Sequence, residues 1–134
     1  MLFRSLGQRW LGYDLDAQQR PTFRYTCGAA TLEDSVRELV DAQNPTARAR
    51  LRRTLRATGP DGTTLTLRAA RDARIDARDD RTVLVGATLQ LQLPAGSFRI
   101  RTSGDDAQEL LVTLRLADGR AEVVLDYTFV EAGK

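Results

Sequence analysis

The chain has 134 residues, 42% of them hydrophobic, and sets 20 basic against 18 acidic side chains for a net charge of +2. It contains no histidine and a single cysteine. This excludes imidazole general bases, Ser-His and Cys-His nucleophile pairs, imidazole metal sites, intrachain disulfides and thiolate zinc centres. The length suits one domain spanning 1–134, and no apolar run approaches a membrane helix.

Nineteen of the basic residues are arginine, and Lys134 is the lone lysine. Arginine-rich coding bias accounts for this by itself. Anion recognition would require the charge to gather on one face. The N-terminal MLFRSLGQRW has no signal-peptide core, so an export signal is expected outside this stretch.

In chain order, the first regular signal is alternation with period two. Leu11, Tyr13 and Leu15 alternate with polar or small residues. DAQQRP then turns the chain into a second run in which Phe23, Tyr25 and Cys27 share a face. The two runs predict a hairpin, with Cys27 as a small buried apolar residue.

The segment 31–57 is ambiguous. Leu32, Val36, Leu39 and Val40 fall on one helical face, and Thr31 with Asp34 imitates a capping box. ARARLRRTLRA has Leu51 and Leu55 at helical spacing, yet it also alternates, with Arg53 spoiling an otherwise apolar face. By itself this segment reads as helix.

Alternation resumes with Leu65, Leu67 and Ala69, then with Leu89, Leu91 and Leu93, then with Phe98 and Ile100. Leu110, Val112, Leu114 and Leu116 form one face, and Val123, Leu125, Tyr127 and Phe129 form a returning one. Asp118-Gly119 between them predicts a hairpin over 108–130. Turns fall at Gly59-Pro60-Asp61-Gly62, Asp79-Asp80, Pro94-Ala95-Gly96 and Gly104-Asp105-Asp106. This spacing predicts an all-β, antiparallel β-sandwich of about 8–10 strands. The alternative is an α+β domain with a helix in 31–43.

The run LGYDLDAQQRPTFRY resembles a Gly-Tyr-x-Leu-Asp-x-x-x-x-Pro-Thr-Phe-x-Tyr element of a β-rich accessory domain. That domain occurs in large exported bacterial proteins of planctomycete and verrucomicrobial type, which carry c-type cytochrome or sorbosone-dehydrogenase-like propeller modules. TLEDS, LRRTLRATGPDG and LRLADGRAEVVLDYTF are similar to further strands of that domain, although its closing Tyr-x-Trp is Tyr127-Thr128-Phe129 here. The resemblance implies strands over 31–40 and 48–57. It also implies an extracytoplasmic location and neighbouring domains of a larger chain as partners. The haem motif Cys-x-x-Cys-His is absent, so no electron-transfer role carries over.

Two groups of residues are candidate sites. Arg48, Arg50, Arg52 and Arg56 form a strip with no acid in sequence between Asp41 and Asp61, suited to phosphate, carboxylate or acidic polysaccharide. Its plain alternative is a charged strand face that discourages sheet pairing. Trp10, Tyr13 and Tyr25 cluster at the first hairpin, where rings could stack on sugars or serve the core. The paired carboxylates Asp14/Asp16, Asp79/Asp80 and Asp105/Asp106 sit where turns favour Asp. The expectation is a non-catalytic accessory or interaction domain without metal or cofactor, and without nucleic-acid or membrane binding. The alternatives are a carbohydrate-binding module on Trp10, Tyr13 and Tyr25, and an anion-binding domain on the Arg48–Arg56 strip.

Overall fold

The computed structural model of the chain describes residues 20–39, 50–102 and 106–129, together with the backbone of 8–15. Among these residues every regular element is a strand. The strands are β1 (Gln8–Leu15), β2 (Pro21–Cys27), β3 (Ala30–Leu39), β4 (Arg50–Thr58), β5 (Thr64–Asp72) and β6 (Ile75–Ala77). They continue with β7 (Thr82–Val85), β8 (Leu89–Gln92), β9 (Phe98–Thr102), β10 (Gln108–Arg115) and β11 (Arg120–Phe129). All pairings are antiparallel. They form one eight-stranded sheet, ordered β1-β2-β3-β4-β11-β8-β7-β6, and one three-stranded sheet, ordered β5-β10-β9. The two sheets pack as a sandwich. No helix among the described residues is long and apolar enough to cross a membrane.

The alternative with a helix over 31–43 is not formed where it can be judged, because Ala30–Leu39 is strand β3. Its backbone pairs with β2 on one side and β4 on the other. Pairing on both edges over 31–35 satisfies the backbone there, and Ala30 and Leu32 lie in the core. Thr31 and Asp34 are therefore not a cap. Thr31 is in register with Thr26 and Thr58, and Asp34 faces the interior. Long-range pairing overrides local helix propensity here.

The hairpin expected over 108–130 is also different. Its strands and turn are present, but β10 and β11 belong to different sheets. Asp118 and Gly119 both have positive φ, 56° and 79°, as a type I′ turn requires. Only Ala117 and Arg120 then pair. Leu116 turns away to donate its N–H to Thr63 O at 2.8 Å and to accept from Gly62 N–H at 2.8 Å. The connection from β4 to β5 bends at the same level, and Gly59 N–H reaches Gly119 O at 2.9 Å. Residues 50–72 and 108–129 are thus two ribbons that pair along their length and bend together from one sheet to the other. The Asp61 carboxylate fastens the bend by accepting the Asp118 N–H at 2.9 Å.

The core lies where the two sheets overlap. Leu32, Leu55, Leu91, Leu110, Leu116, Leu125, Val83 and Val112 are completely enclosed. Each such side chain contributes roughly 1.5–3 kcal/mol through removal of apolar surface from water. The eight-stranded sheet is wider than its partner, and β1, β2 and the far half of β3 form a wing. Every described residue of β2 is only half-buried, and Val36 on β3 is 37% exposed.

Candidate functional site

Cross-strand register assembles the wing's inner face. Tyr25 pairs with Leu32, Phe23 with Asp34 and Cys27 with Ala30. On the next strand, Leu32 pairs with Ala57 and Asp34 with Leu55. A bulge between Trp10 and Gly12 shifts the alternation of β1 by one residue. As a result Trp10 is in register with Tyr25 and Tyr13 with Phe23, whereas Leu11, expected beside Tyr13, has no register partner. Of the three aromatic candidates, Tyr25 is half-buried on this face, and the side chains of Trp10 and Tyr13 lie outside the described residues.

At the border between wing and core lies a buried ion pair. Arg53 donates through Nε to Asp34 Oδ1 at 2.9 Å and through NH2 to Oδ2 at 2.7 Å. Its side chain is 13% exposed and that of Asp34 10%. Arg53 also donates to the Tyr127 hydroxyl at 3.3 Å, which in turn donates to Ala69 O on the other sheet at 3.4 Å. Burial by itself would lower the pKa of Arg53, but the hydrogen bonds and charge of Asp34, with help from Tyr127, hold it above the ordinary guanidinium value. Burial raises the Tyr25 phenol, and the Asp34 charge raises it further against the opposing effect of Arg53. Burial also raises the Cys27 thiol. At neutral pH Arg53 is charged and both Tyr25 and Cys27 are protonated.

The arginine strip is placed differently from its expectation as an unneutralised face. Arg48 lies outside the described residues. Arg50, Arg52 and Arg56 point outward from β4, and β11 sets Asp126 opposite Arg52, Glu122 opposite Arg56 and Thr128 opposite Arg50. Asp126 accepts from Arg52 Nε and NH2 at 2.8 and 3.1 Å. Glu122 accepts from Arg56 Nε. These hydrogen bonds raise the pKa of each arginine. Arg24, Glu33, Arg56 and Glu122 are register partners across four strands, a row of alternating charge. Nearby, an open depression of about 640 Å³ is lined by Arg56 and Arg120 but also by Glu33, Asp118 and Glu122. On the outer face of β4, Arg52 and Arg56 are therefore ion-paired.

The carboxylates at turns bind backbone. Asp79 accepts the Arg81 N–H at 2.8 Å, which lowers its pKa. Asp14, expected at a turn, lies within β1 instead.

Sequence reasoning missed the Asp34–Arg53 pair, although a signal existed. Arg53 interrupts the otherwise apolar face of its run, and Asp34 falls between Leu32 and Val36 once 31–39 is taken as a strand. It also missed the outer face of the three-stranded sheet, where Arg68, Arg71, Arg99 and Arg101 converge. The alternation of Arg99 and Arg101 in FRIRT was visible, but Arg68 and Arg71 are three residues apart and share a face only through the register shift against β10, which also lies between the two pairs. Comparison with family models, curated proteins and solved structures finds no match to this chain.

Proposed function

We propose that this is a non-catalytic interaction domain of a larger extracytoplasmic protein, and that it packs its wing against a neighbouring module. The observation that carries the reading is the uneven width of the two sheets. Pro21, Phe23, Tyr25 and Val36 sit outside the closed core cluster, half-buried or exposed, on a surface continuous with it. A contiguous apolar face left half-open at the end of a sandwich is what a packing partner would cover. The Asp34–Arg53 pair gives that surface a fixed polar floor. The resemblance of LGYDLDAQQRPTFRY to an exported accessory domain supports the location and the kind of partner.

Hydrogen exchange tests the proposal. Amides of 21–39 should exchange more slowly in the intact gene product than in the isolated 1–134 domain. Equal exchange in the two would overturn it. The register of Trp10 with Tyr25 and Tyr13 with Phe23 favours a second reading, in which the same face takes a sugar chain. Since Trp10 is the sole tryptophan, quenching of its fluorescence by an oligosaccharide, lost in Tyr25→Ala, would favour that reading over module packing.

A further inference from the structure

We propose that the outer face of the three-stranded sheet binds an acidic polysaccharide. Two rows of side chains cross this sheet. Arg68, Leu111 and Arg99 are register partners from β5 through β10 to β9, and Arg71, Glu109 and Arg101 form the next row. Directly opposite residues in adjacent strands share a face, so these six side chains stand together. Leu110 and Val112, which alternate with them, belong to the core on the other side.

The central two residues are covered although they point away from the core. Leu111 is 5% exposed and lies outside the core cluster, and Glu109 is 9% exposed. Arginine stems bury such surface while keeping their charged heads in water. The Glu109 carboxylate is shared, with Oε2 accepting from Arg101 at 3.0 Å and Oε1 lying 3.9 Å from Arg68. Within the two rows the Glu109 carboxylate stands against the guanidiniums of Arg68, Arg99 and Arg101, with Arg71 at the end of its row. On the outer face of β4, by contrast, Arg56 meets Glu33 and Glu122, and Arg52 meets Asp126.

The geometry selects the ligand class. Side chains on β5 and β9 are separated by two strand spacings, about 10 Å, and successive rows by roughly 7 Å. This is a flat, repeating array for a polymer carrying carboxylate or sulfate groups, which arginine forks engage through paired hydrogen bonds. Thr64, Thr66 and Thr113 continue the same face and offer hydroxyls to sugar hydroxyls. The rows contain no aromatic side chain on which bases of a single-stranded nucleic acid could stack.

Binding of fluorescent heparin, polygalacturonate and single-stranded DNA to the 1–134 domain, measured across a salt series, tests the proposal. One of the two polysaccharides should bind at low salt, at least fivefold tighter than DNA. Arg99→Gln should weaken binding several-fold, and Arg99→Gln/Arg101→Gln at least tenfold with a shallower salt dependence. Arg52→Gln/Arg56→Gln on the other sheet should stay within twofold. Glu109→Gln serves where loss of Arg101 compromises folding. It removes the one negative charge and should tighten binding several-fold, an effect that a purely structural role would not produce. Absence of polysaccharide binding, tighter binding of DNA, or equal losses from the two arginine pairs would overturn the assignment.

Discussion

At the scale of single residues, the placement of two charges inside a β-sandwich needs explaining. Asp34 and Arg53 are diagonal across β3 and β4, within reach of a long side chain. Their bidentate bond and the Tyr127 hydroxyl satisfy most of the buried polar atoms. Removing one partner strands the other in the interior, so Asp34→Ala should cost about 3–5 kcal/mol in urea unfolding. The double variant Asp34→Leu/Arg53→Met should cost less than that single change, because it leaves no buried charge unpaired. A double variant as unstable as the single would mean that the pair adds stability beyond its own desolvation. Titration gives a second expectation. Tyr25 and Cys27 both have raised pKa values in the folded state. The folded chain thus holds these protons more tightly than the unfolded chain. Their contribution is complete below the ordinary thiol and phenol pKa values and is lost as pH rises through the raised ones. The melting temperature should fall on the alkaline side, and Tyr25→Phe/Cys27→Ala should flatten that fall.

At the scale of elements, the bend where 59–63 meets 116–120 is held by close backbone approach and cross-ribbon hydrogen bonds. Gly119 has φ of 79°, and a Cβ there would meet Gly59 O at 3.1 Å. Gly96 has a similar φ of 75° with open space around it. Both positions lose about 1–2 kcal/mol to the left-handed conformation when changed to Ala. Only Gly119→Ala also pushes on the facing ribbon, so it should be the more destabilising of the two in denaturant unfolding. Equal costs would show that the ribbons do not depend on this close approach. The same bend shows what the sequence could reveal. Alternation from Leu110 to Leu116 and from Val123 to Phe129, and the Asp-Gly turn, located the strands correctly. They could not reveal that the strands part, since Leu116 bonds to Thr63 and not across its own turn. A type I′ turn within one sheet and a turn between two sheets use the same local chemistry. Short β6 and β7 escaped notice because three and four residues give too little alternation to recognise. Segment 31–39 read as helix because its strand character comes wholly from its neighbours.

At the scale of the whole molecule, the two sheets divide the work. The eight-stranded sheet supplies an outer face with ion-paired Arg52 and Arg56 and a half-open inner wing, and the three-stranded sheet supplies an arginine-rich outer face. Composition could not distinguish them, since a net charge of +2 averages over surfaces of different character. The aromatic candidates Tyr25, Trp10 and Tyr13 were legible as a group from their spacing, whereas the ion pairing within the arginine strip on β4 was not. Its neutralising acids, Glu122 and Asp126, come from the far end of the chain. That same separation shapes how the domain is made. Strand β4 pairs on one edge with the earlier β3, but its other edge and β5 find their partners in 108–129, so that edge must wait unpaired while the intervening chain is synthesised. Closing so many contacts across a long loop delays the reward for its entropy cost and places the domain among slow-folding, topologically complex β proteins. The Arg-dense faces of β4, Arg50 to Arg56, then acquire a second use. Before β11 arrives, they are the charges that keep a nascent edge from pairing with another copy.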